Sequence, residues 1–143
     1  MTSLLDVNVL LSLLDANHVH HAASMGWWRR NSDPWASCPI TQNGYLRIVT
    51  VAGYPNRLSI EQAIRTLSQA VSTPDHEFLP DDISLLDTRL VEHGHIQGSK
   101  QFTDIYLFAL SVSHGARFVT LDGGVPRVAV PQATNASMHV ITP

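Results

Sequence analysis

Leu4-Leu5-Asp6-Val7-Asn8-Val9-Leu10-Leu11 is the stretch that decides the fold. Two leucines run into an aspartate, and the apolar pattern resumes at once. Thr2–Leu5 reads as a short buried strand and Asn8–Leu14 as the helix after it, which puts Asp6 at the carboxyl end of the strand. In an open α/β sheet, ligands bind in the crevice outside those strand ends. An ionised carboxylate is costly to bury, so one wedged between leucines needs a reason to be there. Two reasons fit Asp6 taken alone. It opens a helix, with Asp6 or Asn8 satisfying free backbone N–H groups, or it does chemistry.

Working outward, the spacing of Ala22, Met25 and Trp28 predicts a second helix over His18–Arg30, closed by the turn Asn31-Ser32-Asp33-Pro34. Trp35–Cys38 is an apolar run suited to a strand. Thr41 is placed to cap a helix from Gln42 to Val51, and Gly53-Tyr54-Pro55-Asn56 stops it. Ser59-Ile60-Glu61-Gln62 fits a capping box, with Ile60, Ile64, Leu67 and Val71 as the inner stripe of the helix it opens. Glu77–Leu79 reads as a strand, and Asp81 or Asp82 as the start of a helix near Ile83–Glu92. Gly94–Gln101 is polar and loop-like. Thr103 caps a helix over Asp104–Ser113, and Gly115 ends it. Arg117–Leu121 and Met138–Ile141 complete the strands, with Asp122-Gly123-Gly124 a turn between them. Strands alternating with helices predict a parallel sheet covered on both faces.

Three aspartates share one kind of address. Asp6 ends the first strand, Asp122 follows the strand Arg117–Leu121, and Asp104 opens the helix before that strand. In a parallel sheet, strand ends and the starts of following helices lie along one edge, so the three carboxylates can converge. Like charges so close repel unless a cation sits between them. Carboxylate oxygens alone favour Mg²⁺ or Mn²⁺ over zinc or copper, and ions held this way can activate water against a phosphodiester. Each acid also has a plain structural use: Asp104 favours the helix dipole, and Asp122 before two glycines is a common turn former. The functional case rests on the three together.

At these residues the sequence resembles a known family. Leu-Leu-Asp6-Val-Asn8-Val-Leu-Leu, Phe-Thr-Asp104-Ile-Tyr-Leu and Phe-Val-Thr120-Leu-Asp122 are similar to the three signature stretches of PIN domains. In length and order the match is to the VapC-like toxins of bacterial type II toxin–antitoxin pairs, and it covers nearly the whole chain. The resemblance implies one PIN-like domain over residues 1–143, a three-layer α/β/α fold with a central, mainly parallel sheet of four to five strands. It further implies a Mg²⁺-dependent (or Mn²⁺-dependent) endoribonuclease, a homodimer inhibited by a small antitoxin protein. Asp6, Asp104 and Asp122 are then the metal-binding catalytic acids, with Asn8 and Thr120 as polar neighbours that orient them. One departure stands out. PIN domains carry a glutamate in the helix after the second strand, and here Gln42 falls where that acid is expected. An amide offers a carbonyl oxygen but no charge, which leaves three carboxylates instead of four.

Composition sets bounds on this reading. The chain has 143 residues, 44% of them hydrophobic, enough for the core of one domain. Its N-terminus lacks the basic segment of a signal peptide, no apolar run is long enough for a membrane span, and the lone Cys38 allows no internal disulfide. These features point to the cytoplasm. Net charge is −3, and Lys100 is the only lysine among nine basic residues. An RNA contact must therefore rest on a few local arginines or on metal ions. Arg47, Arg89 and Lys100 are the first phosphate-contact candidates. His18, His20 and His21 lack the partners of a zinc site and read as a solvated helix end, while His93 and His95 read as loop. Trp27, Trp28 and Trp35 read as packing in preference to base stacking. There is no phosphate-binding Gly-rich loop and no Gly-x-Ser-x-Gly elbow. Two alternatives stay open: a PIN-like domain that binds RNA or protein without cutting, and an aspartyl phosphotransferase built on Asp6.

Overall fold

A computed structural model describes all residues, Met1–Pro143. In chain order the elements are β1 (Ser3–Leu5), α1 (Val7–Leu14), α2 (His21–Arg30), β2 (Trp35–Ser37), α3 (Pro39–Thr50), α4 (Ile60–Val71), β3 (His76–Phe78), α5 (Phe102–Ser113), β4 (Arg117–Thr120) and β5 (Met138–Val140), with short 3₁₀ turns between some of them. All strand pairs are parallel, and the sheet order is β3-β2-β1-β4-β5. The chain builds outward from β1 on one side, then crosses back to lay β4 against the other. Strand order therefore reverses between β1 and β4, which is where an open α/β sheet leaves a crevice for a ligand.

Side chains alternate across each strand, and the two cores follow from that. Leu4 and Phe118 face α5, where they pack with Ile105, Leu107, Phe108 and Val91. Leu5 and Val119 face the other way, onto Val9 and Leu10 of α1, Trp27 of α2, Tyr45 and Val49 of α3 and Leu67 of α4. Both faces of the sheet are thus covered, which gives the three layers. Helix α3 lies so close to α1 that a Cβ at Gly44 would sit 2.6 Å from Val7 Cγ2, so the contact admits only glycine without rearrangement. Gly115 ends α5 with φ +66°, the left-handed turn expected of it.

The structure corrects several sequence-based expectations. No helix forms over Ile83–Glu92. The Ser84 hydroxyl accepts from Leu86 N and the Asp87 carboxylate from Arg89 N, so short polar side chains hold the backbone in turns. Asp81 and Asp82 cap nothing; they accept from Tyr106 Oη (3.1 Å) and pair with His114 Nε2 (2.8 Å) on α5. Helix α3 starts at Pro39, not Gln42, with proline at its first position, where a missing N–H costs nothing. Thr41 lies inside that first turn and bonds back to Cys38 N. Thr103 caps nothing either, because α5 already begins at Phe102. Helix α2 starts at His21 and buries Ser24 and Trp27 in place of Ala22 and Trp28; the Ser24 and Ser12 hydroxyls bond at 2.6 Å. On α4 the capping box is present, but the buried stripe is Ala63 and Leu67, while Ile60 and Ile64 are 71% and 50% exposed. No helix is long and apolar enough to cross a membrane.

Candidate active site

At the reversal between β1 and β4 the backbone of β1 turns directly into α1, and Asp6 is the residue at the turn. Its extended backbone and side chain cap the helix: Asp6 Oδ1 accepts from Val7 N at 2.7 Å. Across the gap, Thr120 ends β4, and its hydroxyl donates to Asp6 Oδ2 at 2.7 Å. The Thr120 hydroxyl oxygen in turn accepts from Asp122 N (3.0 Å) and from Asn8 Nδ2 (3.4 Å). Asn8, in the first turn of α1, takes Leu121 N on its own side-chain carbonyl oxygen at 3.2 Å. The fully buried Thr120 is therefore the hub of a network that fixes the direction of Asp6 and the backbone leading to Asp122. Asp122 closes its own tight turn by accepting from Gly124 N at 2.8 Å. The structural uses of Asp6 and Asp122 are both real: Asp6 accepts on both of its oxygens and Asp122 on Oδ1.

Asp104 comes from the other layer, in the first turn of α5. Partial burial, together with the charges of Asp6 and Asp122, pushes its carboxyl up to about 6. Asp6 is also raised, chiefly by burial and to a smaller degree by Asp122, against the opposing bonds from Thr120, Val7 and Asn8. The three aspartates thus form one electrostatic group. They do not form a tight chelate as they stand: no set of three His, Cys, Asp or Glu side chains closes on a single point. Repulsion among carboxylates keeps such a group open until a cation offsets it.

The Gln42 amide nitrogen is engaged by other residues. Its side-chain amide donates to Ser37 Oγ at 2.9 Å, and that hydroxyl bonds His76 Nε2 at 2.8 Å on β3. The relay runs from β2 toward the β3 edge, while the carboxylates gather between β1 and β4. Of the cations singled out in the sequence, Arg89 is held by Asp87 in a two-point ion pair. Arg47 lines a groove between α3 and α4 beside Ile60 and Ile64. Lys100 is exposed in the turn that leads into Asp104. His93 and His95 are exposed, and Trp27 and Trp35 are buried packing residues, as expected. Arg30, Arg117, Arg127 and His139, none of them expected from the sequence as functional residues, are gathered by the fold beside β5. The one local signal was the Arg29-Arg30 pair closing α2.

The chain belongs to the PIN domain family, whose model matches residues 3–131. Among characterised relatives, Ribonuclease VapC44 of Mycobacterium tuberculosis is 44% identical over 143 residues, covering 99% of each chain. Ribonuclease VapC39 of the same organism is 38% identical over 132 residues, covering 87% of this chain and 91% of that one. Among solved structures, the fold is similar to VapBC2 from Rickettsia felis bound to a promoter DNA fragment (TM-score 0.63, 16% identity, 98% of each chain). It is similar again to M. tuberculosis VapC20, a Sarcin-Ricin loop cleaving toxin (TM-score 0.64, 13% identity, 92% of this chain and 98% of that one). At such identities the last two comparisons speak to the fold alone, and they agree with the three-layer architecture expected from the sequence.

Proposed function

We propose that the chain is a metal-dependent endoribonuclease, the toxin of a type II toxin–antitoxin pair, acting as one PIN-like domain over residues 1–143. The observation that supports the reading is the electrostatic coupling of Asp104 to Asp6 and Asp122 at the strand-order reversal: burial first, and then the charges of those two acids, push Asp104 up to about 6. The full-length likeness to ribonucleases of the VapC group supports it.

Three carboxylates with no nitrogen or sulfur donor suit a hard divalent cation, Mg²⁺ or Mn²⁺. When bound, such an ion supplies a lowered pKa for attacking water and charge stabilisation for the leaving oxygen. Asp6, Asp104 and Asp122 would hold it. Thr120 and Asn8 act through Asp6: the hydroxyl fixes one carboxylate oxygen, Val7 N fixes the other, and the carboxylate presents its remaining lone pairs to the crevice. Partners of this kind, behind the ligands, set metal affinity and orientation. Lys100, exposed in the turn ahead of Asp104, would be the first candidate to meet a scissile-side phosphate. Gln42, whose amide nitrogen is engaged by Ser37, adds no charge, so the site works with three acids. The remaining parts of the proposal are a cytoplasmic setting, a homodimer and an antitoxin that places a guanidinium among the free carboxylates, where it can bridge two of them.

The test is incubation of the purified chain with total RNA with Mg²⁺, with Mn²⁺ and with chelator, beside an Asp6→Asn control. Metal-dependent cleavage lost in the control is expected. RNA binding without cleavage in any metal would favour the non-cutting alternative.

A further inference from the structure

A crevice of three carboxylates repels a polyanion, so an RNA-cutting chain of net charge −3 must attract its substrate from somewhere else on its surface. Of its nine basic residues, Arg65 and Arg89 are neutralised by Glu61 and Asp87. Arg30 and Arg127 form no ion pair, and the fold puts them on one face. Strand β5 is the free edge next to β4, with His139 opposite Val119. Alternation along β4 turns Arg117 to the same side as Val119, so Arg117 and His139 are diagonal neighbours. The His139 ring lies stacked on Trp27 of α2, centroids 6.2 Å apart and planes at 27°. Arg30 follows Trp27 by three residues, on the same helix face, and folds its guanidinium back over Gly26. Arg127 donates from Nη2 to Met138 O, the backbone of β5 itself, at 3.3 Å.

Three guanidinium groups thus surround an imidazole on an outer strand. The charges of Arg117, Arg30 and Arg127 lower the His139 pKa behind the larger effect of its burial. Asp33 touches Arg117 at 3.5 Å but is shared with the N-terminal ammonium. Guanidinium groups match phosphate oxygens two at a time, and an exposed imidazole offers a flat face to a base. The one large aromatic in the group, Trp27, is spent in the core. The exposed atoms these four residues offer are therefore the kind that grips a phosphate backbone, not the apolar anchors on which protein interfaces centre.

We propose that the β5 face formed by Arg30, Arg117, Arg127 and His139 binds the phosphate backbone of the RNA that the Asp6 crevice cuts. The proposal rests on the ribonuclease reading above. Arg117 starts β4 and Asp122 follows its end, five residues away, or roughly 16 Å of strand. One strand of RNA can reach both.

The experiment uses the full chain made inert by Asp6→Asn and a fluorescein-labelled single-stranded oligoribonucleotide of mixed sequence, titrated from about 50 to about 200 mM salt. Added Arg30→Gln and Arg127→Gln are expected to weaken binding about tenfold and to flatten the plot of log affinity against log salt by about 1.4. The Arg30→Lys, Arg127→Lys pair keeps the charges and should keep the slope, which separates charge from damage to β5. Thermal melting checks that all variants are folded. Unchanged affinity and slope in the Gln pair overturns the proposal while leaving the ribonuclease reading intact. An inert parent that binds no RNA at all overturns both. A Gln pair that binds RNA normally but loses a co-expressed antitoxin shows a protein-docking face, and also overturns it.

Discussion

Helix α1 has an aspartate at each end, and the two live in opposite circumstances. Asp15, at the C-terminal end, accepts from Tyr54 Oη (2.7 Å), from Asn56 Nδ2 on both oxygens (3.1 Å each) and from Asn17 N (3.0 Å). Burial acts to raise its pKa, but those neutral donors outweigh it, and the carboxyl sits below its ordinary range. Asp6, at the N-terminal end, is nearly sealed from solvent, shares its surroundings with Asp122, and sits above that range despite its own donors. Asp15 is a carboxylate whose charge is already satisfied by protein, and it ties α1 to the loop between α3 and α4. Asp6 is a carboxylate whose charge is left short. The same residue type serves the fold at one end and, in the proposed function, a cation at the other.

The largest effect that follows is on activity. Asp6→Asn keeps the shape and the helix cap, because asparagine caps as well as aspartate, but removes the charge. Cleavage should fall by at least about 100-fold, beyond what loss of a supporting hydrogen bond behind a metal ligand costs, with the metal-free melting temperature held or raised. Thr120→Val, which strips the hub from the network, should cost about 10- to 100-fold in metal affinity or rate. Asp15→Asn should leave activity per folded molecule unchanged. Full activity in Asp6→Asn, or its loss in a folded Asp15→Asn, would collapse the contrast.

The next effect is on stability, and it runs the other way. Asp15→Ala abandons three side-chain partners and should destabilise by about 1–2 kcal/mol, the value of charged hydrogen bonds discounted for partial exposure. Chemical denaturation of this variant beside Asp6→Asn gives the comparison. A loss in Asp6→Asn as large as that in Asp15→Ala would mean that Asp6 is a structural acid after all.

The two ends also differ in pH dependence. Asp104 has an ordinary value of 3.8 and is pushed to about 6 when folded. Between those values the folded chain binds more protons than the unfolded one. Stability from this group is fully present below about 4 and is lost as pH rises through about 6. Asp6, raised as well, acts in the same direction. Asp15, lowered, contributes stability above 3.8 that is lost as pH falls. Metal-free melting temperature should therefore fall between about pH 4 and about 6. Mg²⁺ at a hundredfold its Kd should restore about 2.7 kcal/mol above that window. Asp104→Asn should flatten both responses, and a melting curve indifferent to Mg²⁺ in the wild-type chain would contradict the assigned ligands.

How far this contrast could be read from the sequence depends on how local its causes are. Asp6 and Asp122 could be singled out because each follows an apolar run, and Asp104 because it opens one; alternation of strands and helices is enough to put such positions on one edge. Asn8 and Thr120 were legible only through the likeness to a family. The strand order, with its reversal between β1 and β4, was not legible, because the pairing of β1 with β4 joins residues more than a hundred positions apart. Asp15 gave no signal for the same reason: Tyr54 and Asn56 read as a helix stop, and nothing local says that they fold back on α1. The helix expected over Ile83–Glu92 failed where Ser84 and Asp87 captured nearby amides, a competition that apolar spacing does not register.

Gln42 is the smallest expected effect and the sharpest check on where the site ends. The family pattern places an acid in this stretch, and a glutamate at 42 would be the natural repair if the side chain faced the metal. The structure instead engages its amide with Ser37, which bonds His76, itself held below its ordinary pKa mainly by burial. A neutral His76 can accept at Nε2 from the Ser37 hydroxyl, and that hydroxyl can accept from Gln42, so every proton in the relay has a place. Gln42→Glu removes the amide donor and puts a carboxylate beside the Ser37 oxygen. The new charge faces His76 and should favour its protonated form, so the cost of the substitution should shrink as pH falls. Its effect on the carboxylates between β1 and β4 should be slight. The measurement is melting temperature against Mg²⁺ concentration for wild type and Gln42→Glu. Parallel curves, offset by a small metal-independent loss, are expected. A larger Mg²⁺-induced rise in Gln42→Glu would bring residue 42 into the metal site, and the boundary drawn here between the β1–β4 crevice and the β2–β3 edge would have to move.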